Sequence, residues 1–312
     1  MISSVFSKTK PVNHILVLST LGVVFFLEAV FRRESGITLD NLPSVLLTLA
    51  CLLFSVLAIN FIVSRNQLTA PHSFTLYFFA LLVLLFPDSL ADSAAIIANL
   101  LLLFGMRRLV SMRSLRDIKS KIFDGTFWFL GASLLVDWTL LFLLLPWLYV
   151  YLYDPRNIRN WLVPLAAVLL TGLLVAAWIS VSGDTGLFAR NYRLAWEGTA
   201  AYWTDWDHTL RIGIYLAVIL LSGLVAFLRL GKSGHGRIVS MRLLAISFLL
   251  GLGVVALRGG DAGNPILITF FPAAVFLSKY IETIRKDNWR EGILAAFLLI
   301  AAGSYALSWV TQ

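Results

Sequence analysis

Long apolar stretches alternate with short polar ones along this chain, and that spacing predicts transmembrane helices. Runs at Ile15–Phe31, Val45–Val63, Trp161–Val181, Ile212–Leu230, Leu243–Leu257, Ile266–Ile281 and Ile293–Val310 approach the ~20 apolar residues that a helix needs to cross the hydrocarbon core. Two further regions are interrupted. Phe74–Phe104 is broken by Pro87-Asp88-Ser89-Leu90-Ala91-Asp92, and Thr126–Tyr153 by Asp137, with Pro146 beyond it. Each reads either as one long tilted helix or as a hairpin of two short helices. The bias of Lys and Arg toward the cytoplasmic side separates these readings. With both regions split and the N-terminus inside, the inner segments hold about three times as many basic residues as the outer ones. With Thr126–Tyr153 as one span, the two sides come out nearly equal.

The expected architecture is therefore all-α: a polytopic transmembrane helical bundle of about eleven membrane segments, with two short helical hairpins and the N-terminus inside. Asp137 falls at an outward hairpin tip. No fixed-period repeat and no Pro-, Gly- or Ser-rich linker divides the chain, so residues 1–312 read as a single integral membrane domain. The first apolar run ends in Phe31-Arg32-Arg33-Glu34 with no small-residue cleavage site, and reads as an uncleaved span.

Composition narrows the function classes. The chain is 59% hydrophobic and 13% charged, about half the charge of an ordinary soluble domain. A soluble enzyme, a disordered chain and a nucleic-acid-binding domain are excluded. The net charge of +8 comes from basic residues in short loops, where it sets orientation. Cys51 is the only cysteine, so no internal disulfide and no cysteine metal cluster forms. In this topology His14, His72 and His235 lie at the inner side and His208 at the outer, so no imidazole iron site assembles. No cofactor is expected.

Four places could carry chemistry. In Met106–Phe123, Leu109, Met112, Leu115, Ile118 and Ile122 recur at helical spacing among six basic residues, which predicts a helix lying on the anionic inner leaflet. The outer loop Ser182–Arg211 carries Phe188, Tyr192, Trp196 and Trp203 on one helical stripe, which predicts an interfacial helix or a platform for a sugar or lipid headgroup. Asp205 and Asp207 flank Trp206 before His208, a weak hard-cation pattern or a helix cap. Acids at the outer side, among them Glu28, Glu34, Asp40, Asp88, Asp92 and Asp137, are functional suspects because ionisable groups near a membrane interior are costly. Glu28 has Arg32 four residues on and Asp92 precedes a helix start, whereas Asp137 has no charged partner in its own segment.

Two resemblances add to this reading. The opening Met1-Ile2-Ser3-Ser4-Val5-Phe6-Ser7-Lys8-Thr9-Lys10-Pro11-Val12-Asn13, together with Phe123-Asp124-Gly125, Gly131-Ala132-Ser133-Leu134, Asp154-Pro155-Arg156-Asn157 and Trp161, resembles an uncharacterised Bacteroidetes inner-membrane family over most of the first 180 residues. That resemblance implies the bacterial inner membrane. Over Asn99–Val181, a basic inner loop, a short Gly-Ala-Ser helix, a tip, a Leu-rich return ending in Leu-Pro-Trp and a basic turn are similar to the mid-region of GT-C glycosyltransferases. This implies transfer from a polyprenyl-linked carrier in envelope glycoconjugate assembly. Asp137, Glu34 or Asp40 would then be the general base, Arg32, Arg33 or Arg258 would hold the lipid phosphate, and Trp196 and Trp203 would cover the acceptor. The first outer loop of this chain, Arg32–Ser44, is short and offers only Glu34 and Asp40, whereas that family's catalytic acid lies in a long one. The expected partners are membrane lipids, polyprenyl phosphate among them, and no nucleic acid. Two other readings stay open: a lipid or small-solute carrier, favoured by the breaks at Pro87 and Asp137, and a scaffold subunit; Ser247 and Gly251 could pack a partner helix but read first as packing within the protein itself.

Overall fold

The computed structural model describes residues 2–32, 36–114, 116–186, 189, 191–192, 194, 206–229, 235–258 and 264–310. Most of these are helical, with no strand among them. Among the described residues, eight helices are long and apolar enough to cross a membrane: Pro11–Arg32, Leu42–Arg65, Ser93–Ser111, Ile158–Ser182, Thr209–Arg229, Gly236–Arg258, Pro265–Glu282 and Asp287–Trp309. The protein is therefore a multi-pass membrane protein. The long elements follow the apolar runs because a backbone in lipid must satisfy its own hydrogen bonds, which a helix does.

In chain order the helices are α1 (Ile2–Phe6), α2 (Pro11–Leu27), α3 (Leu42–Arg65), α4 (Phe74–Leu85), α5 (Ser93–Ser111), α6 (Ile118–Ser133), α7 (Leu144–Tyr153), α8 (Ile158–Ser182), α9 (Trp206–Arg229), α10 (His235–Arg258), α11 (Phe270–Glu282) and α12 (Asp287–Val310). Tight 3-10 turns lead into or out of several of them, at Pro87–Leu90, Asp137–Leu143 and Pro265–Thr269. Both interrupted regions turn back on themselves. Asp88, after α4, meets Arg32, while Arg113, after α5, donates to the Asn66 carbonyl at the opposite end of α3. Leu135, after α6, accepts from Arg258 at the end of α10, while Tyr153, at the end of α7, donates to Gly236 at that helix's start. The bundle thus has a tip end, with Arg32, Asp88, Leu135 and Arg258. Its other, basic end gathers Arg65, Arg113, Arg237 and the α11–α12 turn.

Helices α4 and α11 pack on each other at the centre. Their sequences are apolar nearly all round, and almost every side chain from Phe74 to Val83 and from Phe270 to Leu277 is buried. Such all-round apolarity marks a helix enclosed by other helices. Lipid tails are as apolar as leucine, so packing and interhelical hydrogen bonds hold this centre together. The hydroxyls of Thr75 and Ser278 share a 3.0 Å bond between the two helices. Tyr77 donates to the Leu294 carbonyl of α12 at 2.8 Å, and Tyr215 of α9 bonds Thr269 at 2.7 Å. Helices α2, α3 and α12 flank α4, whereas α9 and α10 flank α11. Helix α8 lies at the periphery against α6 and α7 and turns most of its length outward.

One expectation is corrected. Met106–Phe123 is not one helix on a leaflet surface. Helix α5 runs to Ser111, a 3-10 turn follows at Met112–Ser114, and α6 starts at Ile118 after Asp117 takes a left-handed φ of 52°. Leu109, Met112 and Ile122 are fully buried inside the bundle, so the apolar stripe is core. Ser247 and Gly251 also face inward: Ser247 is buried, and a Cβ on Gly251 would stand 3.0 Å from Thr269 Cγ2.

Candidate functional site: a slot between three helices

Of the three expected acids, Asp137 and Asp40 lie within the described residues and Glu34 does not. Asp137 sits at the hairpin tip, where one carboxylate oxygen accepts from the Trp138 amide at 2.8 Å and the other from the Leu194 amide at 3.0 Å. Its partners are thus backbone groups, one of them 57 residues away. Nearby, Asn191 donates to the Leu134 carbonyl at 3.1 Å, and the Tyr192 and Ser133 hydroxyls share a 2.9 Å hydrogen bond. Burial pushes the Tyr192 phenol above its usual range; the Ser133 bond offsets part of this and the Asp137 carboxylate adds to it. Asp137 here fastens the long loop to the tip. Asp40 is exposed in the turn before α3. Arg258 spans from α10 to the Leu135 carbonyl at 3.3 Å. Glu34, Arg33, Trp196, Trp203 and Asp205 lie outside the described residues. Asp207 falls in the first turn of α9, which starts at Trp206, and its side chain lies outside them too. No group of three or more metal-ligating side chains occurs among the described residues.

Arg32 is engaged in a buried ionic cluster. After α2 the helix widens into a π-turn over Glu28–Arg32, a distortion often found at functional sites. Arg32 pairs with Glu28 at 3.1 Å and with Asp88 at 3.5 Å, and donates to the Ser308 carbonyl in the last turn of α12 at 3.2 Å. The side chains of Arg32 and Glu28 are only 10% and 9% exposed, that of Asp88 49%. The i,i+4 pair was legible in the sequence; the tertiary partners Asp88 and Ser308 were not. Asp92 caps α5 as expected, accepting from the Ala95 amide at 2.9 Å.

A deep opening lies beside this cluster. A cavity of about 720 Å³ runs between α4, α9 and α12, within the range of ligand pockets, roughly 300–1,000 Å³. Phe78, Leu82 and Leu85 of α4 and Leu277 of α11 line it. Ile214 and Val218 of α9 face Phe297, Ile300 and Leu307 of α12 across it. These walls include core residues, so the opening penetrates to the second layer of helices. Arg211, in the first turns of α9, is the charged residue of the lining. No hydrogen bond or ion pair engages its guanidinium among the described residues, in contrast to Arg32 and Arg258. Leu85 lies three residues before Asp88 and Leu307 next to Ser308, so the charged mouth of the slot adjoins the ionic cluster. Ser304 closes the seam there, donating to the Leu85 carbonyl at 3.4 Å.

A second cavity of about 350 Å³ lies between α6 and α8, with Leu134, Trp178 and Asn191 in its wall. Asp137 and Asp40 line neither opening. The sequence reading missed Arg211 as a site residue. Its signal was faint, a single arginine at the start of an amphipathic span; what marks it is the slot it faces. No family model, curated protein or solved structure matches this chain.

Proposed function

We propose that this protein binds an anionic single-chain amphiphile from the bilayer, with the chain in the slot between α4, α9 and α12 and the headgroup on Arg211, and that it presents or carries that lipid. One observation supports the reading above the others: an apolar slot lined by Arg211, whose guanidinium has no ion-pair partner among the described residues. An apolar chain alone gains little by leaving lipid for protein, because both surroundings are apolar. The gain comes from a charge-assisted, bidentate contact between Arg211 and a phosphate in a setting of low dielectric. The GT-C likeness of Asn99–Val181 extends the proposal to polyprenyl-linked intermediates of envelope glycoconjugate assembly, in a bacterial inner membrane with the N-terminus inside. A general-base step lacks support from the geometry, since Asp137 holds two backbone amides and stands outside the slot. Binding and carriage are therefore favoured over transfer.

The test is native mass spectrometry of the protein extracted from its own membrane, with bound lipids identified. The wild type retains an anionic isoprenoid or comparable single-chain phosphate. Arg211→Gln loses most of it. Gly303→Phe also loses it, because Gly303 lines the slot and has nothing within 4 Å of the position of an added Cβ. Retention of bulk phospholipid alone, or unchanged lipid in both variants, overturns the proposal.

A further inference from the structure

The ionic cluster beside the slot has one carboxylate more than its cation can balance. Arg32 brings one positive charge, Glu28 and Asp88 a negative charge each. A single nitrogen serves both acids: Nη1 of Arg32 donates to the two Glu28 oxygens at 3.2 and 3.1 Å and stands 3.5 Å from Asp88. The other terminal nitrogen, Nη2, is spent on the Ser308 carbonyl. The groups that act on the Glu28 carboxylate are Arg32, Asp88 and the Tyr305 hydroxyl of α12; Arg33 and Glu34 lie outside the described residues. Other acids of this end are committed or in water: Asp92 caps α5, Asp137 holds two amides and Asp40 is exposed. One negative charge of the cluster is therefore left uncompensated, next to a slot whose own charged residue is a cation.

A clip that only holds helices together needs neither the second carboxylate nor the group beside it. The Tyr305 hydroxyl is buried with no hydrogen-bond partner among the described residues, although Glu28 and Arg32 both lie within electrostatic reach of it. Buried hydroxyls are nearly always hydrogen-bonded, so an orphan asks for an explanation. A neutral Glu28 supplies one, because a carboxylic acid has an O–H to donate and the phenol oxygen accepts. The orphaned hydroxyl is thus the partner of the other protonation state. Tyr305 also stands between Ser304 and Leu307, which both line the slot. Asp88, half exposed and sharing Nη1 with Glu28, gives a proton its route between water and the buried acid.

We infer that Glu28 is a proton site linked to the slot: it takes up one proton when an anionic headgroup settles on Arg211 and gives it back to water through Asp88 when the headgroup leaves. The linkage rests on the lipid-binding reading above; the proton site itself does not. An arriving anion adds a negative charge beside a cluster that already has one in excess, and like charges at close range disfavour each other. A proton on Glu28 brings the cluster to neutrality and frees Glu28 to bond Tyr305, while Arg32 keeps Asp88. Coupling between two sites is reciprocal, so the proton tightens the anion as much as the anion tightens the proton. Headgroup and proton enter together, and a monoanionic amphiphile is carried with no net charge.

Two measurements on the purified protein in detergent test this. The first is an infrared pH titration without added lipid. Wild type minus Glu28→Gln shows the carbonyl stretch of an un-ionised carboxyl growing as the pH falls; no such band at any pH overturns the proton site. The second is binding of lysophosphatidylglycerol, a single-chain lipid whose phosphodiester keeps its charge throughout, with the monoacylglycerol of the same chain as the uncharged control. Wild type binds the anionic lipid more tightly as the pH falls, by up to about tenfold per pH unit for one linked proton, and the control lipid shows no such slope. Glu28→Gln binds the anionic lipid with the low-pH affinity at every pH, which also shows that the variant is folded. Tyr305→Phe moves the slope to lower pH. A wild-type slope that survives in Glu28→Gln overturns Glu28 as the linked site and spares the lipid site. Binding of the anionic lipid that is flat with pH in wild type overturns the linkage alone. No binding at any pH, with the infrared band present, overturns the lipid reading and the linkage and leaves the proton site standing.

Discussion

At the scale of single residues, the charged groups at the tip end divide by whether they are already satisfied. Arg32 binds Glu28, Asp88 and a carbonyl of α12, and Arg258 binds a carbonyl of the hairpin tip, whereas Arg211 faces an apolar slot. Satisfied arginines hold helices together; Arg211, with no ion-pair partner among the described residues, is the one to which the proposed function assigns an anion. The buried pair makes a stability prediction. Removing one partner of a buried ion pair costs about 3–5 kcal/mol because the other charge is stranded. Glu28→Gln should cost less, about 2 kcal/mol, because Asp88 still stands 3.5 Å from Arg32. Arg32→Met should cost more than Glu28→Gln, since it strands Glu28 and frees the Ser308 carbonyl. Thermal unfolding in detergent orders the two variants, and the reverse order would overturn this account of the cluster.

At the scale of elements, close helix approach depends on a few small residues. A Cβ on Gly105 would clash with the ring of Phe129 on α6, which is fully buried. Gly105→Val should therefore push α5 and α6 apart and destabilise by about 1–3 kcal/mol, as overpacking does. Gly172 of α8, with nothing within 4 Å of an added Cβ, is the control, and valine there should leave the melting temperature nearly unchanged. The helices themselves were legible in the sequence, including Asp92 as a cap and the breaks at Pro87 and Asp137. The stripe Leu109–Met112–Ile122 was legible as a stripe but not as core. Periodicity shows that one face is apolar; it does not show whether lipid or protein covers that face.

At the scale of the whole molecule, the hairpins place the acidic tips and the basic turns at opposite ends. The proposed orientation follows, with the basic end in the cytoplasm. Cys51 is the only cysteine, so a Cys51→Ser background allows single reporters. Asp40→Cys and Asp137→Cys should react with a membrane-impermeant maleimide in intact cells, and Arg116→Cys and Lys286→Cys only after the membrane is opened. The opposite pattern would invert the proposed topology, and labelling of Asp137→Cys together with Arg116→Cys would undo the hairpin.

The sequence by itself determined that this is a helical, multi-pass membrane protein, and roughly where each helix begins and ends. Those features depend on local quantities: apolar run length against bilayer thickness, prolines and polar breaks, and charge in short loops. The tertiary structure alone decided which polar groups are spent and which are available. Asp137 is fixed by an amide 57 residues away, and Arg32 by a carbonyl 276 residues away. The slot arises because α4, α9 and α12, far apart in the chain, fail to close on each other along one face. A cavity is a property of distances between helices, and no single apolar run carries that information.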